Sequence, residues 1–480
     1  MQKEVKEGPT RAVVAAVQLP GVSDTELQVS VNELRDLATT LGFEVVGTFI
    51  QKRDKFDTAA YLGIGKRHEM RRFVENAPES DDAPDSAPAN SHPKRAAKGG
   101  LARAKEAAQA IADPETRRAD VILVDHEISP SQARNLEIEV GCEVMDRTMV
   151  ILEIFHRHAS SRAARAQVEI ARLAYLSPRL REAAKLAGSK GRQRSGTGGR
   201  GAGETHSELD RQKIRNRIAE LQEEIAAMDV ERKTQRARRQ ERQGIARVVL
   251  VGYTNAGKST LMRALTGSDV LVANQLFATL DTTVRTLHPK TVPQILISDT
   301  VGFIKNLPHD LVASFKSTLE EALEASLLLH VVDAGDPGYE RQLAVTEAVL
   351  AEISAQEVPR ILVFNKIDAV GNGAGDGNGD VAAQAEREAA LRERYPECIV
   401  MSARRPADVA KLHAAIRAFF QKGLVEEELF LPWSAQQLRG ELFASCEVLE
   451  ERAEEEGAHF RVRGEPSVLE GLRVQFGQVQ

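Results

Sequence analysis

The sequence predicts a multidomain α/β protein. Three observations carry that expectation: a length of 480 residues, two separate stretches in which apolar strand-like runs alternate with helical patterns, and a heptad-patterned stretch between them. At roughly 100 to 200 residues per domain the chain holds two to four domains, so it is more than one small binding module.

The first stretch contains apolar runs of strand length at Arg11–Leu19, Phe43–Ile50 and Val121–Val124, with helical periodicity over Leu27–Leu41. These make a small parallel α/β domain spanning residues 1–160. Within it, residues 76–93 are proline-rich and acidic, with too few apolar groups to offset the entropy of ordering, and are expected to form a disordered insertion. Lys94–Ala112 is Ala/Lys-rich and helix-compatible, although Gly99 and Gly100 weaken it.

After a strand-like segment at Cys142–Met145 the pattern changes. Leu173, Leu176 and Leu180 mark one apolar stripe; Ile214, Ile218, Leu221, Ile225 and Met228 repeat at four-three spacing on a second. The two helices are expected to pair as an antiparallel hairpin over residues 161–244, with the glycine-rich stretch Gly188–Gly203 as a non-helical tip. Between Arg157 and Arg200 eleven Lys and Arg residues face only Glu169 and Glu182. Most charge runs are simply solvated faces. Here, however, a Gly/Arg loop held out by two helices presents donors without competing intramolecular partners, which makes Arg192, Arg194 and Arg200 candidate RNA contacts.

From Arg247 a third pattern begins. Strands at Val248–Val251, Ile295–Ser298, Leu327–Val332 and Ile361–Phe364, separated by helical stretches, predict a doubly wound sheet over residues 245–424, with Gly371–Gly379 as a surface loop. The tail, residues 425–480, combines a helical pattern around Ala435, Leu438 and Leu442 with a strand at His459–Val462, the mark of a small acidic α+β domain.

Composition narrows the class without naming a partner. Sixty-four Lys and Arg against seventy Asp and Glu give −6, with 42% hydrophobic and 28% charged residues, as in soluble globular proteins. Cys142, Cys398 and Cys446 are scattered and odd in number, so neither a disulfide framework nor a CxxC metal site is expected. No apolar run approaches the ~18 residues of a membrane span, and the N-terminus lacks the apolar core of a signal peptide. A cytoplasmic monomer is expected, with peripheral membrane association left open.

The chemistry is concentrated in the third section. Gly252, Tyr253, Thr254, Asn255, Ala256, Gly257, Lys258 and Ser259 match G-x-x-x-x-G-K-[ST], follow a strand and, through Thr260, enter a helix. The glycines let backbone N–H groups converge on phosphates, Lys258 neutralises β and γ charge, and the Ser259 hydroxyl can bind Mg²⁺. Asp299, Thr300, Val301 and Gly302 end another strand, where a carboxylate can hold the Mg²⁺ shell and the Gly302 N–H can reach a γ-phosphate. Asn365, Lys366 and Asp368 close a third. Asp368 can accept from guanine N1–H and the exocyclic amine, whereas adenine offers an acceptor at N1 and no donor at C2, so GTP is expected over ATP. Ser402 and Ala403, after the strand Cys398–Val400, can supply backbone contacts to the base oxygen.

Phe277, Ala278 and Thr279 begin a segment in which a threonine can close the Mg²⁺ shell only when the γ-phosphate is present. Thr279 is the first choice and Thr282 the second; the alternative is a hydroxyl-rich surface loop. Phe303 stands where small GTPases carry a water-orienting glutamine, so hydrolysis is expected to be slow, with the water placed by backbone groups, a cation or a partner surface. Asn255 resembles the potassium-coordinating asparagine of cation-activated GTPases, and K⁺ there would clamp the β- and γ-phosphates; the alternative is an asparagine that satisfies its own backbone.

With this set in place, the preceding sections resemble the HflX family, ribosome-associated members of the Obg-HflX group of GTPases. The resemblance rests on Tyr61-Leu62-Gly63-Ile64-Gly65-Lys66, Val144-Met145-Asp146-Arg147-Thr148, Ile151-Leu152-Glu153-Ile154-Phe155, Gln167-Val168-Glu169, Leu176-Ser177-Pro178-Arg179-Leu180 and Gly198-Gly199-Arg200-Gly201-Ala202-Gly203-Glu204-Thr205. It covers Arg11 to the end of the G domain and thins in the tail. Ala202 departs from the family's usual proline, and the acidic insertion and His156-Arg157-His158 depart as well. The resemblance implies a GTPase that binds the large ribosomal subunit, reaches ribosomal RNA with its hairpin and separates stalled or hibernating ribosomes, with hydrolysis stimulated by the ribosome. The alternatives are a ribosome-assembly GTPase using the same residues on immature particles, and a GTP-gated scaffold whose basic hairpin meets acidic proteins. Asp146 and Arg147 belong to the family pattern and are read as a salt bridge at the hairpin base. The Gly63-x-Gly65-Lys66 fragment is too short to claim a second nucleotide site.

Overall fold

The structure is a computed structural model describing residues 9–76, 117–191, 202–240, 246–267, 276–277, 280, 282–292, 294–305, 321–371 and 380–477. Nearly all of the acidic insertion, Lys94–Ala112, Arg192, Arg194, Arg200, Ala278, Thr279 and residues 372–379 lie outside these. The chain divides into two compact units, Met1–Ile154 with Arg172–Ile214, and Phe155–Ala171 with Arg215–Gln480.

The first unit holds a four-stranded sheet of order β2-β1-β3-β4, built from β1 (Arg11–Gln18), β2 (Glu44–Lys52), β3 (Val121–Val124) and β4 (Glu143–Asp146), every pair parallel. A parallel sheet covered on both faces needs continuous apolar strands, and β1 and β3 are buried almost throughout. Helix α1 (Asp24–Thr40) starts at a Ser23/Glu26 capping box and buries Leu27, Val31, Leu34, Leu37 and Ala38. Helix α2 (Ile64–Val74) follows Gly63. Helix α3 (Pro130–Val140) starts at a Ser129/Gln132 capping box and ends at left-handed Gly141. Tyr61 is buried: its hydroxyl oxygen accepts from Val17 N at 3.0 Å and lies 2.8 Å from His126 Nδ1. Lys66 pairs with Glu69 at 2.8 Å.

Asp146 and Arg147 are both buried, and each has its own partners. Asp146 accepts from Arg179 Nη2 at 2.6 Å, from Met149 N at 3.0 Å and from the Tyr175 hydroxyl, while Arg147 pairs with Asp125 at 2.9 Å and with Glu33. The expected ion pairing is therefore present, but across elements: β4 leads into helix α4 (Arg147–His158), and Asp146 ties that junction to helix α5 (Arg162–Gly191).

Helices α5 and α6 (Ala202–Gln240) carry the hairpin. Arg162 pairs with Glu224, and Arg217 with Glu169 at 3.0 Å, so the two run antiparallel. Ile214, Ile218, Leu221, Ile225 and Met228 are the sheltered positions of α6, as four-three spacing requires, whereas Leu180 is 53% exposed and lies off its stripe. The expected non-helical tip is corrected at both ends, because α5 runs through Gly188–Gly191 and α6 starts at Ala202. Adding a residue to an existing helix needs no new nucleus, so glycine costs only about 1 kcal/mol there.

The second unit contains a six-stranded sheet of order β10-β9-β8-β5-β7-β6. Strands β5 (Ala246–Gly252), β7 (Ile295–Asp299), β8 (Leu327–Asp333), β9 (Arg360–Asn365) and β10 (Ile399–Val400) are parallel, and the edge strand β6 (Thr283–Thr286) is antiparallel to β7. Helix α7 (Lys258–Thr266) follows β5, α8 (Tyr339–Glu352) links β8 to β9, α9 (Val381–Arg394) links β9 to β10, and α10 (Pro406–Gln421) follows β10. Val248, Leu250, Leu261, Leu265, Leu329 and Ile416 belong to one buried cluster, and Val332, Phe364 and Leu391 to another.

The tail is an antiparallel sheet of order β11-β13-β12, made of β11 (Val425–Pro432), β12 (Glu447–Ala453) and β13 (Gly457–Gly464), with helices α11 (Arg439–Ser445) and α12 (Pro466–Gly477). Leu429, Leu431, Leu442, Phe460, Val462 and Leu469 form its core. Among the described residues no helix is long and apolar enough to cross a membrane.

Candidate nucleotide-binding site

The functional loops leave the carboxyl ends of β5, β7, β8 and β9, the edge at which an open α/β sheet binds ligands. β5 is paired on both sides, to β7 and β8, and its buried run Val248–Val251 fixes where the phosphate loop starts. The chain then turns into α7 along a path only glycine can take. Gly252 has φ +148°, and a Cβ there would lie 2.1 Å from the Val331 carbonyl oxygen; at Gly257, with φ +92°, it would lie 2.3 Å from Asn365 Nδ2. Asn255 is exposed and left-handed at φ 58°, a conformation asparagine tolerates.

Lys258 is buried at the start of α7, and its Nζ donates to the carbonyls of Gly252 at 3.0 Å and Tyr253 at 2.8 Å. Burial lowers its pKa to about 8; Asp299 opposes that shift and Lys366 adds to it. A desolvated ammonium held this way gains strongly from an incoming anion. Ser259 Oγ donates to Asp299 Oδ2 at 2.6 Å, and Asp299 is fully buried at the end of β7. An alcohol beside a carboxylate is a hard-oxygen donor set that fits Mg²⁺. Among the described residues no cluster of three or more His, Cys, Asp or Glu offers an all-protein metal cage.

The segment after β7 is stitched onto the phosphate loop. Thr300 Oγ1 donates to the Leu250 carbonyl at 2.7 Å, Thr254 N to the Phe303 carbonyl at 2.7 Å, and Phe303 N to the Gly252 carbonyl at 3.1 Å. Lys305 N donates to the Tyr253 hydroxyl at 2.9 Å. A Cβ on Gly302 would lie 2.9 Å from Thr254 Cα and 3.0 Å from Lys258 Nζ, so this approach requires glycine. Val301 and Phe303 are buried, and the Phe303 side chain packs as core and carries no polar group.

The loops after β9 and β10 are tied to the phosphate loop by one side chain. Asn365, 1% exposed, donates from Nδ2 to the Ala256 carbonyl at 3.0 Å and accepts at Oδ1 from Ala403 N at 2.9 Å. Lys366 is left-handed at φ 61° and pairs with Asp333 at 2.9 Å. Asp368 sits in the 3-10 turn Ile367–Ala369, its carboxylate 3.9 Å from Arg404 Nη1 and its side chain 23% exposed. Ser402 is buried; its N donates to Asp408 Oδ2 at 3.1 Å and its Oγ accepts from Arg404 N at 3.2 Å.

The structure thus brings together Gly252 to Thr260, Asp299 to Gly302, Asn365, Lys366, Asp368, Ser402 and Ala403. Phe277 is engaged elsewhere: its ring meets Phe155 edge-on at 4.5 Å, and its carbonyl accepts from His158 Nδ1 at 3.0 Å. Thr282 Oγ1 donates to Glu321 Oε1 at 3.1 Å. Sequence reasoning overlooked Asp333, Asp408 and the Tyr253 hydroxyl. The first two carried a readable signal: Asp333 is a carboxylate at a strand end, and Asp408 lies in the first turn of the helix after Ser402.

Comparison with known proteins extends this beyond one domain. Residues 247–366 match a family described as 50S ribosome-binding GTPase, residues 158–239 a GTP-binding GTPase middle region, and residues 28–81 and 88–156 a GTP-binding GTPase N-terminal region. The GTPase HflX of Gluconacetobacter diazotrophicus is 49% identical over 473 residues, covering 98% of each chain. That of Caldanaerobacter subterraneus is 38% identical over 436 residues, covering 89% of this chain and 90% of its own. The crystal structure of a complex of SsGBP and GDP aligns with TM-score 0.42 and 20% identity, over 85% of this chain and 98% of that one. Since the HflX relatives match across all three sections and nearly end to end, the chain belongs to the HflX family of GTPases.

Proposed function

We propose that this GTPase binds GTP through the loops described above, engages the large ribosomal subunit with its basic hairpin, and releases it on hydrolysis, thereby splitting stalled or hibernating ribosomes. The observation that carries the reading is the Asn365 tie: one buried amide spans Ala256 of the phosphate loop and Ala403 of the purine loop. A ligand that fills both ends completes a preorganised frame, and GTP has the length and the two chemistries to do so.

In this reading Gly252 to Thr260 cradle the phosphates, Lys258 and Gly302 meet the γ-phosphate, and Asp368, Ser402 and Ala403 read the purine. Mg²⁺, held by the Ser259 hydroxyl and Thr279 with Asp299 behind it, would neutralise phosphate charge. Asn255 would offer its amide oxygen to K⁺. Because Phe303 is core and not a water ligand, the attacking water must be placed by another group, and subunit stimulation of hydrolysis follows. Domain limits at residues 160, 244 and 424 assign binding to the hairpin and timing to the G domain, acting as a monomer in the cytoplasm.

Co-sedimentation of the full chain with purified large subunits tests this. Pelleting is expected with a nonhydrolysable GTP analogue and reduced with GDP. Deleting Gly191–Gly203 should abolish pelleting and subunit-stimulated turnover while GDP binding persists; unchanged pelleting of the deletion variant would refute the role of the hairpin.

A further inference from the structure

We infer that Asp333 is a positioning residue for GTP: it fixes Lys366 against the phosphate loop and so sets how long nucleotide stays bound. The inference rests on the reading of the site given above and adds a residue that the motifs do not contain.

β8 ends at Asp333 and β9 at Asn365, and the two residues face each other in register. Ala334 N donates to the Asn365 carbonyl at 2.7 Å, which joins the two strand ends. Both oxygens of the Asp333 carboxylate are used: Oδ1 accepts from Gly335 N at 2.9 Å, and Oδ2 lies 2.9 Å from Lys366 Nζ. The Asp333 and Lys366 side chains are 20% and 29% exposed, so the pair is partly withdrawn from water and only partly screened.

Lys366 stands at a junction. Its left-handed backbone turns β9 into the 3-10 turn that carries Asp368. Its Cε lies 3.8 Å from the position a Cβ on Gly257 would occupy, so its alkyl stem rests along the phosphate loop. A cation at that place repels Lys258, as the lowering of the Lys258 pKa by Lys366 records. Asp333 is the counter-charge that lets Lys366 lie there. Without it, Lys366 either swings into solvent, removing its stem from between the phosphate and purine ends of the site, or stays and bears its full charge on Lys258.

Release of a fluorescent N-methylanthraniloyl-GDP from wild type, Asp333→Asn, Lys366→Met and the double variant tests the assignment, with melting curves to confirm folding. Asn keeps the shape and the acceptor for Gly335 N but removes the charge. Asp333→Asn is expected to speed release about tenfold, the scale of one charge-assisted contact. It should raise KM for GTP by a similar factor with kcat at saturation changed less than threefold. In the Lys366→Met background the same change should add less than twofold. Wild-type release from Asp333→Asn, or effects of the two substitutions that multiply as independent factors, overturns the role of Asp333 alone. A wild-type protein that binds no GDP overturns the underlying reading as well.

Discussion

Asp368→Asn is expected to lower GTP affinity by roughly 10²- to 10⁴-fold while allowing XTP to bind within about tenfold of the wild-type affinity for GTP, because the bond from N1–H is kept with both bases and only the bond at C2 changes direction. A carboxylate at position 368 only accepts, which suits the N1–H and 2-amino donors of guanine. Asparagine offers one acceptor and one donor, so the guanine amine loses its partner, whereas the carbonyl at C2 of xanthine gains one. The geometry favours a clean exchange. Asp368 rides on a short turn anchored by Ile367 N to the Met401 carbonyl at 3.3 Å and by Ala369 N to the Lys366 carbonyl at 2.9 Å, so the substitution changes the group without moving its carrier. Competition titrations of GTP and XTP against a fluorescent nucleotide measure the ratio. An Asn variant that keeps both the affinity and the preference for GTP would show that another group reads the purine edge.

Lys258→Met is expected to act in opposite directions on binding and on stability. GTP affinity should fall by roughly a thousandfold or more, because a desolvated cation beside phosphate is worth about 3–5 kcal/mol when its partner is removed. The ligand-free fold should become more stable. The folded-state pKa of Lys258 is depressed to about 8 from an ordinary 10.5, so between these values the native state binds fewer protons than the unfolded state. The Lys258 contribution to stability therefore rises with pH across that window, and below about pH 8 the buried charge carries its full cost, about 3 kcal/mol. At neutral pH the Met variant should melt above wild type, with the difference shrinking as pH rises from about 8 towards 10.5. Nucleotide binding by wild type should take up protons above about pH 8 and weaken by up to tenfold per pH unit there. Denaturant melts across pH, with calorimetry in buffers of different ionisation enthalpy, measure both. A Met variant that melts below wild type at every pH would mean that the Lys258 bonds to Gly252 and Tyr253 outweigh its desolvation.

The readable parts of this chain are those in which local chemistry and fold require the same residues. The phosphate loop is legible because β5 is continuously apolar and the backbone at Gly252 and Gly257 leaves no room for a Cβ. The heptads of α6 are legible because burial follows the four-three spacing from Ile214 to Met228. Strands β11 and β12 were harder to read, since Glu426, Glu427 and Glu428 break the apolar alternation. In the sheet Arg463 pairs with both Glu426 and Glu447, so part of the acidic run belongs to a cross-strand ion-pair face opposite the one that buries Leu429 and Leu431. β6 was hidden for a related reason: Thr283 to Thr286 is polar, and its place comes from pairing with the edge of β7 and not from a core of its own.

Within the site, sequence motifs name the groups proposed to meet the ligand and leave out those that hold these groups in place. Asn365 could be read as a nucleotide contact, but its role as the tie between Ala256 and Ala403 depends on bringing together residues 109 and 38 positions away. Asp333 and Asp408 carry a local signal, a strand end and the first turn of a helix, but the partners they hold, Lys366 and Ser402 N, are set by the sheet and not by that signal. Asp146 and Arg147 are adjacent in sequence and serve different networks, which only the crossing of α5 over the β4–α4 junction reveals.

Titration calorimetry of the full chain with GDP and with ADP, each with Mg²⁺, measures whether the site selects guanine. A one-to-one exothermic isotherm is expected for GDP and at least a hundredfold weaker association for ADP, since the phosphate loop alone would hold both and only the Asp368 end tells them apart. Equal affinity for the two nucleotides, or no binding of GDP by well-folded protein, would contradict that selection.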